Sequence, residues 1–162
     1  MIVVADAGPL RYLTVIGYVD VLKVLYSRVL IPEAVARELQ DTKTPDKVHA
    51  WIAQPPLWCE ICPNTPSDPT LAYLDAGERA AIALALLVSA DVLLMDESDG
   101  RAEAKRRSLR VTGTLGVLAD AHIAGVLDFE AALAQLRRTN FYLSEAVVSG
   151  LRQRLAGAMG KS

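Results

Sequence analysis

Two short apolar runs of the sequence each lead into an aspartate. The run IVVA (residues 2–5) is followed by Asp6, and the run VLLM (residues 92–95) is followed by Asp96. Such runs predict buried strands, and ligand sites of open parallel sheets lie beyond the carboxyl ends of the strands. We therefore expect both aspartates to lie at one edge of a sheet.

Further acids extend this pair, namely Asp99, Glu78 and Glu38. Two like charges about 4 Å apart repel by about 4 kcal/mol at an effective dielectric near 20. A converging cluster must therefore take up protons or bind a divalent cation. Oxygen ligands suit Mg²⁺ or Mn²⁺, and such an ion activates water and stabilises charge on a phosphoryl oxygen. The expected chemistry is phosphodiester hydrolysis.

Each of these acids also has a simpler structural interpretation. Asp75 and Glu78 have the spacing of a capping box. Glu38 has the character of a solvated residue on a short helix, and Glu97 and Asp99 suit the first turn of a helix. The functional interpretation depends on the joint placement of the acids at one site.

A basic segment follows the second aspartate. Arg101 and Lys105 share a face of the predicted helix SDGRAEAKRRS, and Arg106 lies nearby. Such a patch beside a metal site would attract an RNA backbone. The alternative is an ordinary solvated surface helix.

Strands alternate with helices through the first 125 or so residues. The other predicted strands are RVLI, LWCEI and LRVTG, and the longest predicted helix is the apolar run AGERAAIALALLVSA. This alternation predicts an α/β fold with a mostly parallel sheet and helices on both faces. Two amphipathic helices follow at the C-terminus.

Composition limits the class of protein. The chain has 162 residues, 52% of them hydrophobic, and a net charge of −2, so we expect a globular protein without a general basic surface. No apolar run is long enough for a transmembrane helix, and no signal peptide is recognised, which favours a cytoplasmic protein. Cys59 and Cys62 lack histidines at ligand spacing, so we expect structural or incidental cysteines.

Several ordered motifs resemble those of the PIN-domain family, especially its compact prokaryotic VapC-like toxins. They are VVADAGPL, IPEAVAREL, LDAGERAAIALA and LLMDESDGRAEAKRRSLRVTGTLGVL. The resemblance implies a Rossmann-like, three-layer α/β/α sandwich with C-terminal helices. It covers about residues 1–127 and leaves 128–162 as a helical extension, packed on the same domain or at a dimer interface.

The resemblance also implies a catalytic site. The family's acidic positions correspond to Asp6, Glu38, Glu78 and Asp96, with Asp99 as an additional member. The implied activity is that of a Mg²⁺- or Mn²⁺-dependent ribonuclease. All of these acids except Glu38 are the expected metal ligands. The implied partners are RNA, a small antitoxin protein and a second copy of the chain.

The sequence departs from the family at one position of the first motif and at the residue directly after it. Gly8 stands where the family often has Ser or Thr, and Arg11 replaces an apolar residue. Thr112 or Thr114 is an alternative source of the hydroxyl group. Gly8 keeps open a second hypothesis, a catalytically degenerate PIN fold that binds RNA or protein. It also disfavours a haloacid-dehalogenase-like phosphatase, which needs a second aspartate at that position.

Overall fold

The protein contains a five-stranded parallel sheet. The structure is a computed structural model and describes residues 1–159. The strands are β1 (Ile2–Ala5), β2 (Arg28–Pro32), β3 (Cys59–Cys62), β4 (Val92–Leu94) and β5 (Val111–Thr112). Their order across the sheet is β3-β2-β1-β4-β5. The predicted three-layer α/β/α fold is confirmed.

Helices connect successive strands and continue beyond the last one. They are α1 (Ala7–Val15), α2 (Val21–Tyr26), α3 (Glu33–Leu39), α4 (Asp46–Ala53), α5 (Ala76–Leu87), α6 (Ser98–Arg106), α7 (Thr114–Ile123), α8 (Phe129–Leu136) and α9 (Glu145–Met159). A short 3-10 turn spans Pro69–Leu71. Gly17 separates α1 from α2 and has a φ of +83°, a backbone conformation that glycine adopts without a steric cost.

The central strand is buried on both faces. Val3, Val4 and Ala5 have no exposed surface, as expected of a parallel strand covered by helices on either side. Val4 pairs with Leu30 of β2 and with Leu93 of β4. These three side chains belong to one core cluster that includes residues of α5 and α6. The apolar packing therefore fixes the register in which β1 and β4 end side by side.

The chain divides into two compact units. The first unit, Met1–Thr114, contains all five strands and α1 to α6. The second begins at Leu115 and contains the rest of α7 together with α8 and α9. The division into residues 1–127 and 128–162 stays a prediction, and its last three residues, 160–162, lie outside the described part.

The second unit is helical and has its own buried side chains. Phe129, Leu133 and Leu136 of α8 are at most 1% exposed. Two exposed ion pairs join α8 and its C-terminal end to α9. Glu130 of α8 pairs with Arg152 of α9, and Arg137, directly after α8, pairs with Glu145 of α9. Among the described residues, no helix has the length and apolar character required to cross a membrane.

Candidate acidic active site

The strand order places a topological switch point between β1 and β4. From β1 the chain continues to β2 and β3 on one side, and it later adds β4 and β5 on the other side. Crevices at the carboxyl ends of the strands on either side of such a point are the usual ligand sites of open α/β sheets. Asp6 follows β1, and Asp96 lies two residues beyond β4.

Asp6 is a buried carboxyl group at the start of α1. Its backbone N–H donates to the Leu94 carbonyl at 2.9 Å, which ties the end of β1 to β4. The pKa of Asp6 is raised to about 8: burial is the main cause, the Ala7 N–H lowers it, and the nearby charges of Glu38, Asp75 and Glu78 add to the rise. Asp6 therefore carries a proton at neutral pH in the absence of a compensating cation.

Asp96 is held by Thr114, the first residue of α7. The Thr114 N–H donates to Asp96 Oδ1 and the Thr114 hydroxyl donates to Oδ2, both at 2.7 Å. Burial raises the pKa of Asp96, and both Thr114 bonds and the Arg101 charge lower it. Of the two threonines considered from the sequence, Thr114 is the one whose hydroxyl supports a site carboxylate.

Gly8 leaves room for the Asp96 carboxylate. A Cβ atom at Gly8 would lie 2.9 Å from Asp96 Oδ2, closer than real Cβ contacts. The Thr114 hydroxyl donates to the same oxygen. A side chain at residue 8 and the hydroxyl of Thr114 therefore compete for the space and the bonds around Asp96 Oδ2.

Three carboxylates meet at Gly77, in the first turn of α5. A Cβ atom at Gly77 would lie 2.6 Å from Glu38 Oε2, 3.3 Å from Asp6 Oδ1 and 3.6 Å from Asp75 Oδ1. Glu38 Oε2 and Asp6 Oδ1 are therefore within about 6 Å of each other, a range in which like charges raise each other's pKa. The missing side chain of Gly77 lets acids from three segments approach one point.

Glu78 belongs to the cluster and also caps its helix. The predicted capping box is confirmed: the Glu78 N–H donates to Asp75 Oδ1 at 2.8 Å, and the Asp75 N–H donates to Glu78 Oε2 at 3.2 Å. Glu78 is 7% exposed. Burial and then the Asp75 charge raise its pKa to about 7. The structural and the functional interpretation of this residue are compatible.

Glu38 lies at the exposed side of the cluster, near the end of α3. Burial of its carboxyl group and the charges of Asp75 and Glu97 raise its pKa, while Arg11 lowers it. Arg11, noted as a departure from the family, therefore supplies a positive charge to the site.

The structure adds Asp75 and Glu97 to the predicted acids. Glu97 raises the pKa of three carboxyl groups, those of Glu38, Glu78 and Asp96. Asp99 lies one residue inside α6, is exposed, and is an acidic residue of the helix's first turn. The sequence signals for the two additional acids were present, since Asp75 precedes the apolar helix and Glu97 follows Asp96 directly.

Several helices begin at this edge of the sheet, and their N-termini face negative charge. Asp6 precedes α1, Asp75 precedes α5, Glu97 precedes α6 and Asp96 bonds the first residue of α7. The amide groups of helix N-termini carry partial positive charge that stabilises anions. These partial charges offset part of the repulsion, and the raised pKa values of Asp6 and Glu78 show that the compensation is incomplete.

The donor chemistry of the cluster fits a hard divalent cation. The donors are carboxylate oxygens, which Mg²⁺ and Mn²⁺ prefer, and the raised pKa values indicate a deficit of positive charge. Within residues 1–159, no group of three or more His, Cys, Asp or Glu side chains has an arrangement that could hold a metal ion. Glu78 and Asp96 are instead bonded to backbone and Thr114 donors.

The basic segment forms α6 and the turn after it, and much of its charge is paired. Arg101 donates to the Met95 carbonyl at 3.0 Å and lowers the pKa of Asp96. Arg106 pairs with Glu103 at 3.0 Å. Lys105 is exposed. The assignment of Arg101, Lys105 and Arg106 to RNA binding stays a prediction, with Arg101 closest to the acids.

The two cysteines lie in β3 and are free thiols. Residues three apart in a strand point to opposite faces. Burial raises the pKa of Cys59 to about 12, which keeps its thiol protonated and unreactive.

Comparison with known proteins decides the family. A family profile described as a PIN domain matches residues 2–156. The chain belongs to the PIN-domain family. The PIN fold is also found in a PilT N-terminus domain protein from the hyperthermophilic archaeon Sulfolobus solfataricus P2, with a TM-score of 0.53 and 13% identity. That match covers 89% of this chain and 100% of the archaeal chain. No curated protein matches.

The family identification confirms the resemblance on which the sequence expectations rest. PIN domains are generally nucleases and generally use divalent metals. In this PIN domain Asp6 and Asp96 lie at the sheet edge described above, with Glu38 and Glu78 close to Asp6. Their individual roles in catalysis and metal binding stay predictions.

Proposed function

We propose that this PIN-domain protein is a Mg²⁺- or Mn²⁺-dependent endoribonuclease that hydrolyses RNA phosphodiester bonds. The observation that carries the proposal is the convergence of Glu38, Asp6 and Asp75 on the space that a Cβ atom of residue 77 would occupy. A buried acid cluster with a pKa near 8 at its centre lowers stability unless a cation occupies it. Strongly perturbed pKa values of this kind, in a crevice at the carboxyl edge of an α/β sheet, are characteristic of a functional site.

The residues divide into ligands and supporting groups. Asp6 and Asp96 are the principal metal ligands in the proposal, with Glu78 and Asp99 as further ligands, directly or through water. Glu38 completes the acidic pocket and orients a water molecule. The bound ion supplies an activated water and stabilises charge on the phosphoryl oxygen.

Thr114 and Arg101 act on Asp96. Thr114 fixes both carboxylate oxygens of Asp96, so the group is oriented before any ligand binds. Arg101 is tied to the Met95 carbonyl and places a positive charge near Asp96. This charge suits the approach of an RNA phosphate, and Lys105 and Arg106 extend the basic surface in the proposal.

The direct test is cleavage of a mixed cellular RNA pool by the purified protein with Mg²⁺ or Mn²⁺. Cleavage is expected with either ion and is expected to disappear in EDTA. Asp6→Asn, which preserves the shape of the side chain, should lower the rate by at least about 100-fold. No cleavage by the folded protein with either ion, or cleavage by the purified protein that EDTA leaves unchanged, would contradict the proposal.

A catalytically degenerate RNA- or protein-binding module is the second candidate. Gly8 favours it because the usual family hydroxyl is missing from this position. The bond from Thr114 to Asp96 weakens this argument, since it supplies a hydroxyl to the same site. RNA binding that is unchanged by EDTA, together with no cleavage by the folded protein, would favour the module.

The biological setting in the proposal is a toxin–antitoxin pair in the cytoplasm. PIN domains commonly bind RNA and antitoxin partners. We propose a small antitoxin as partner and a homodimer as the active form. Co-expression of the gene with its neighbouring open reading frames, scored by growth, tests the pairing. Light scattering of the purified protein tests the dimer.

A further inference from the structure

A groove of about 450 Å³ lies in the first unit, beside the acidic cluster. It is lined by residues of α3, of α5 and of the segment around the 3-10 turn. A volume in this range is typical of small-ligand sites. None of its lining residues belongs to the acids described above.

The groove adjoins the acids on two helices. Arg37 lines the groove and directly precedes Glu38 on α3, and Arg79 lines it and directly follows Glu78 on α5. Consecutive residues of a helix point about 100° apart from neighbouring α-carbons. Arg37 and Glu38 therefore lie on adjoining faces of α3, and Arg79 and Glu78 lie on adjoining faces of α5.

One positive charge of the groove has no ion-pair partner in the part of the chain that the structure describes. Arg37 pairs with Glu33 at 2.8 Å, and Asp68 pairs with Arg107 at 2.9 Å. Both carboxylates that line the groove are thus neutralised. Arg79 makes no ion pair within the described residues. The groove therefore offers a free guanidinium group to an anion, and guanidinium groups bind phosphate by paired hydrogen bonds.

A buried hydroxyl group of the groove is also unsatisfied. Thr65 lines the groove, and its Oγ1 atom is buried without a hydrogen-bond partner in the described structure. Buried polar groups in folded proteins are nearly always bonded, so an exception calls for a missing partner. The remaining surface is small and apolar, from Ala34, Ala72, Ala76, Ala80, Pro66 and Pro69.

We propose that this groove is a nucleotide subsite for single-stranded RNA, next to the position of the cleaved bond. Arg79 binds the phosphate of the neighbouring nucleotide, and the Thr65 hydroxyl bonds an oxygen of the same phosphate or its sugar. The alanines and prolines accept the apolar faces of the sugar and base. The proposal rests on the proposed ribonuclease function for the identity of the polymer.

Binding in EDTA tests the groove separately from cleavage. The probe is a fluorescently labelled single-stranded RNA of mixed sequence, measured by anisotropy at several salt concentrations. Arg79→Gln should weaken binding about tenfold and lower the slope of log K against log salt by about 1. Arg138→Gln, an exposed arginine of the second unit, removes the same charge and should change binding less than about twofold.

Thr65→Val separates a subsite from a structural role. The substitution keeps the shape and removes the unpaired hydroxyl, so the melting temperature should stay unchanged or rise. RNA binding should weaken about threefold. Lower melting temperature with unchanged binding would assign Thr65 to the fold and overturn its part in the subsite.

The outcomes distinguish the groove from the nuclease proposal. Arg79→Gln binding as tightly as the unmodified protein, or no RNA binding by the unmodified protein, overturns the subsite whatever the cleavage assay gives. Binding that depends on Arg79 and Thr65 without cleavage in Mg²⁺ or Mn²⁺ supports the subsite and contradicts the nuclease. Binding and cleavage that both depend on Arg79 support the two proposals together.

Discussion

At the scale of single residues, Asp6 is a buried carboxyl group, and the metal-free protein does not compensate the negative charge of its ionised form. Its pKa is raised from 3.8 to about 8. Below pH 3.8 the carboxyl group is protonated in the folded and unfolded states alike. As the pH rises towards 8, the folded state retains a proton that the unfolded state has lost, so the free energy of unfolding decreases.

Asp6→Asn is therefore expected to stabilise the metal-free protein. The gain at pH 7.5 should be roughly 1–3 kcal/mol and should vanish near pH 4. Thermal unfolding in EDTA at the two pH values measures it. Asp20→Asn, a change at an exposed aspartate of the same unit, is the matched control. An Asp6→Asn protein that is less stable than the unmodified protein at pH 7.5 would contradict the assignment.

The position of Asp6 beside Asp96 could be predicted because it depends on topology alone. Two apolar runs end on an aspartate, and neighbouring parallel strands bring their carboxyl ends together. Asp75 and Glu97 could not be assigned in the same way. Whether a loop carboxylate faces a site depends on the φ and ψ angles of one or two residues and on packing around Gly77, which spacing does not encode.

Thr114 provides the second prediction at this scale. Thr114→Val removes the hydroxyl that bonds Asp96 Oδ2 and leaves the backbone bond to Oδ1. The pKa of Asp96 should rise further, cleavage should fall about tenfold, and stability should fall by about 1 kcal/mol. Thr114→Ser retains the hydroxyl and should retain most of the cleavage rate. Full activity of Thr114→Val would remove the hydroxyl from the proposed site.

At the scale of elements, the first turn of α5 serves the helix and the acid cluster together. Asp75 and Glu78 satisfy each other's backbone N–H groups, and Gly77 between them makes room for Glu38 and Asp6. The capping box could be predicted from the sequence, because its bonds are local. The convergence on Gly77 could not, because it depends on how α3 lies against α5.

Substitutions of Glu78 should separate the two roles. Glu78→Gln keeps an oxygen that accepts the Asp75 N–H and removes a carboxylate whose pKa burial raises, so the variant should be at least as stable as the unmodified protein at pH 7.5, while cleavage is lost. Glu78→Ala removes the acceptor as well and should cost about 1 kcal/mol. Urea unfolding in EDTA and the RNA cleavage assay give the two readouts. Equal loss of stability in both variants would show that the charge, not the acceptor, supports the helix.

Ion pairing along α6 explains why the basic segment offers less free positive charge than its sequence suggests. Arg106 and Arg107 follow Glu103 by three and four positions, so they form ion pairs along the helix. Arg107 also bonds Asp68 and Thr70, which are far away in the sequence. The number of basic residues in the sequence predicts a basic face. Which of these residues are paired with distant acids can be known only from the fold.

At the scale of the whole molecule, proton release and metal binding should be coupled. Asp6 and Glu78 have pKa values of about 8 and about 7, so both are partly protonated at neutral pH. A cation that binds these groups must displace the protons. The apparent affinity for Mn²⁺ should therefore rise at least about tenfold between pH 6 and pH 8.

Calorimetric titration in buffers of different ionisation enthalpy measures the protons released. The unmodified protein should release about one or more per Mn²⁺ at pH 7, and Asp6→Asn should release fewer. Thermal stabilisation by Mn²⁺ should likewise be larger at pH 8 than at pH 6. An affinity independent of pH would mean that these two carboxyl groups are not the ligands.

The order of the strands has a consequence for synthesis of the chain. Asp6, Glu38, Asp75 and Glu78 all precede β4, while Asp96 and Thr114 follow it. The central strand β1 cannot complete its pairing on one side until β4 has been synthesised. Such long-range parallel pairing forms late in folding. A nascent chain that ends before residue 96 carries most of the acids but no complete site. Synthesis must therefore pass Thr114 before the proposed attack on RNA becomes possible.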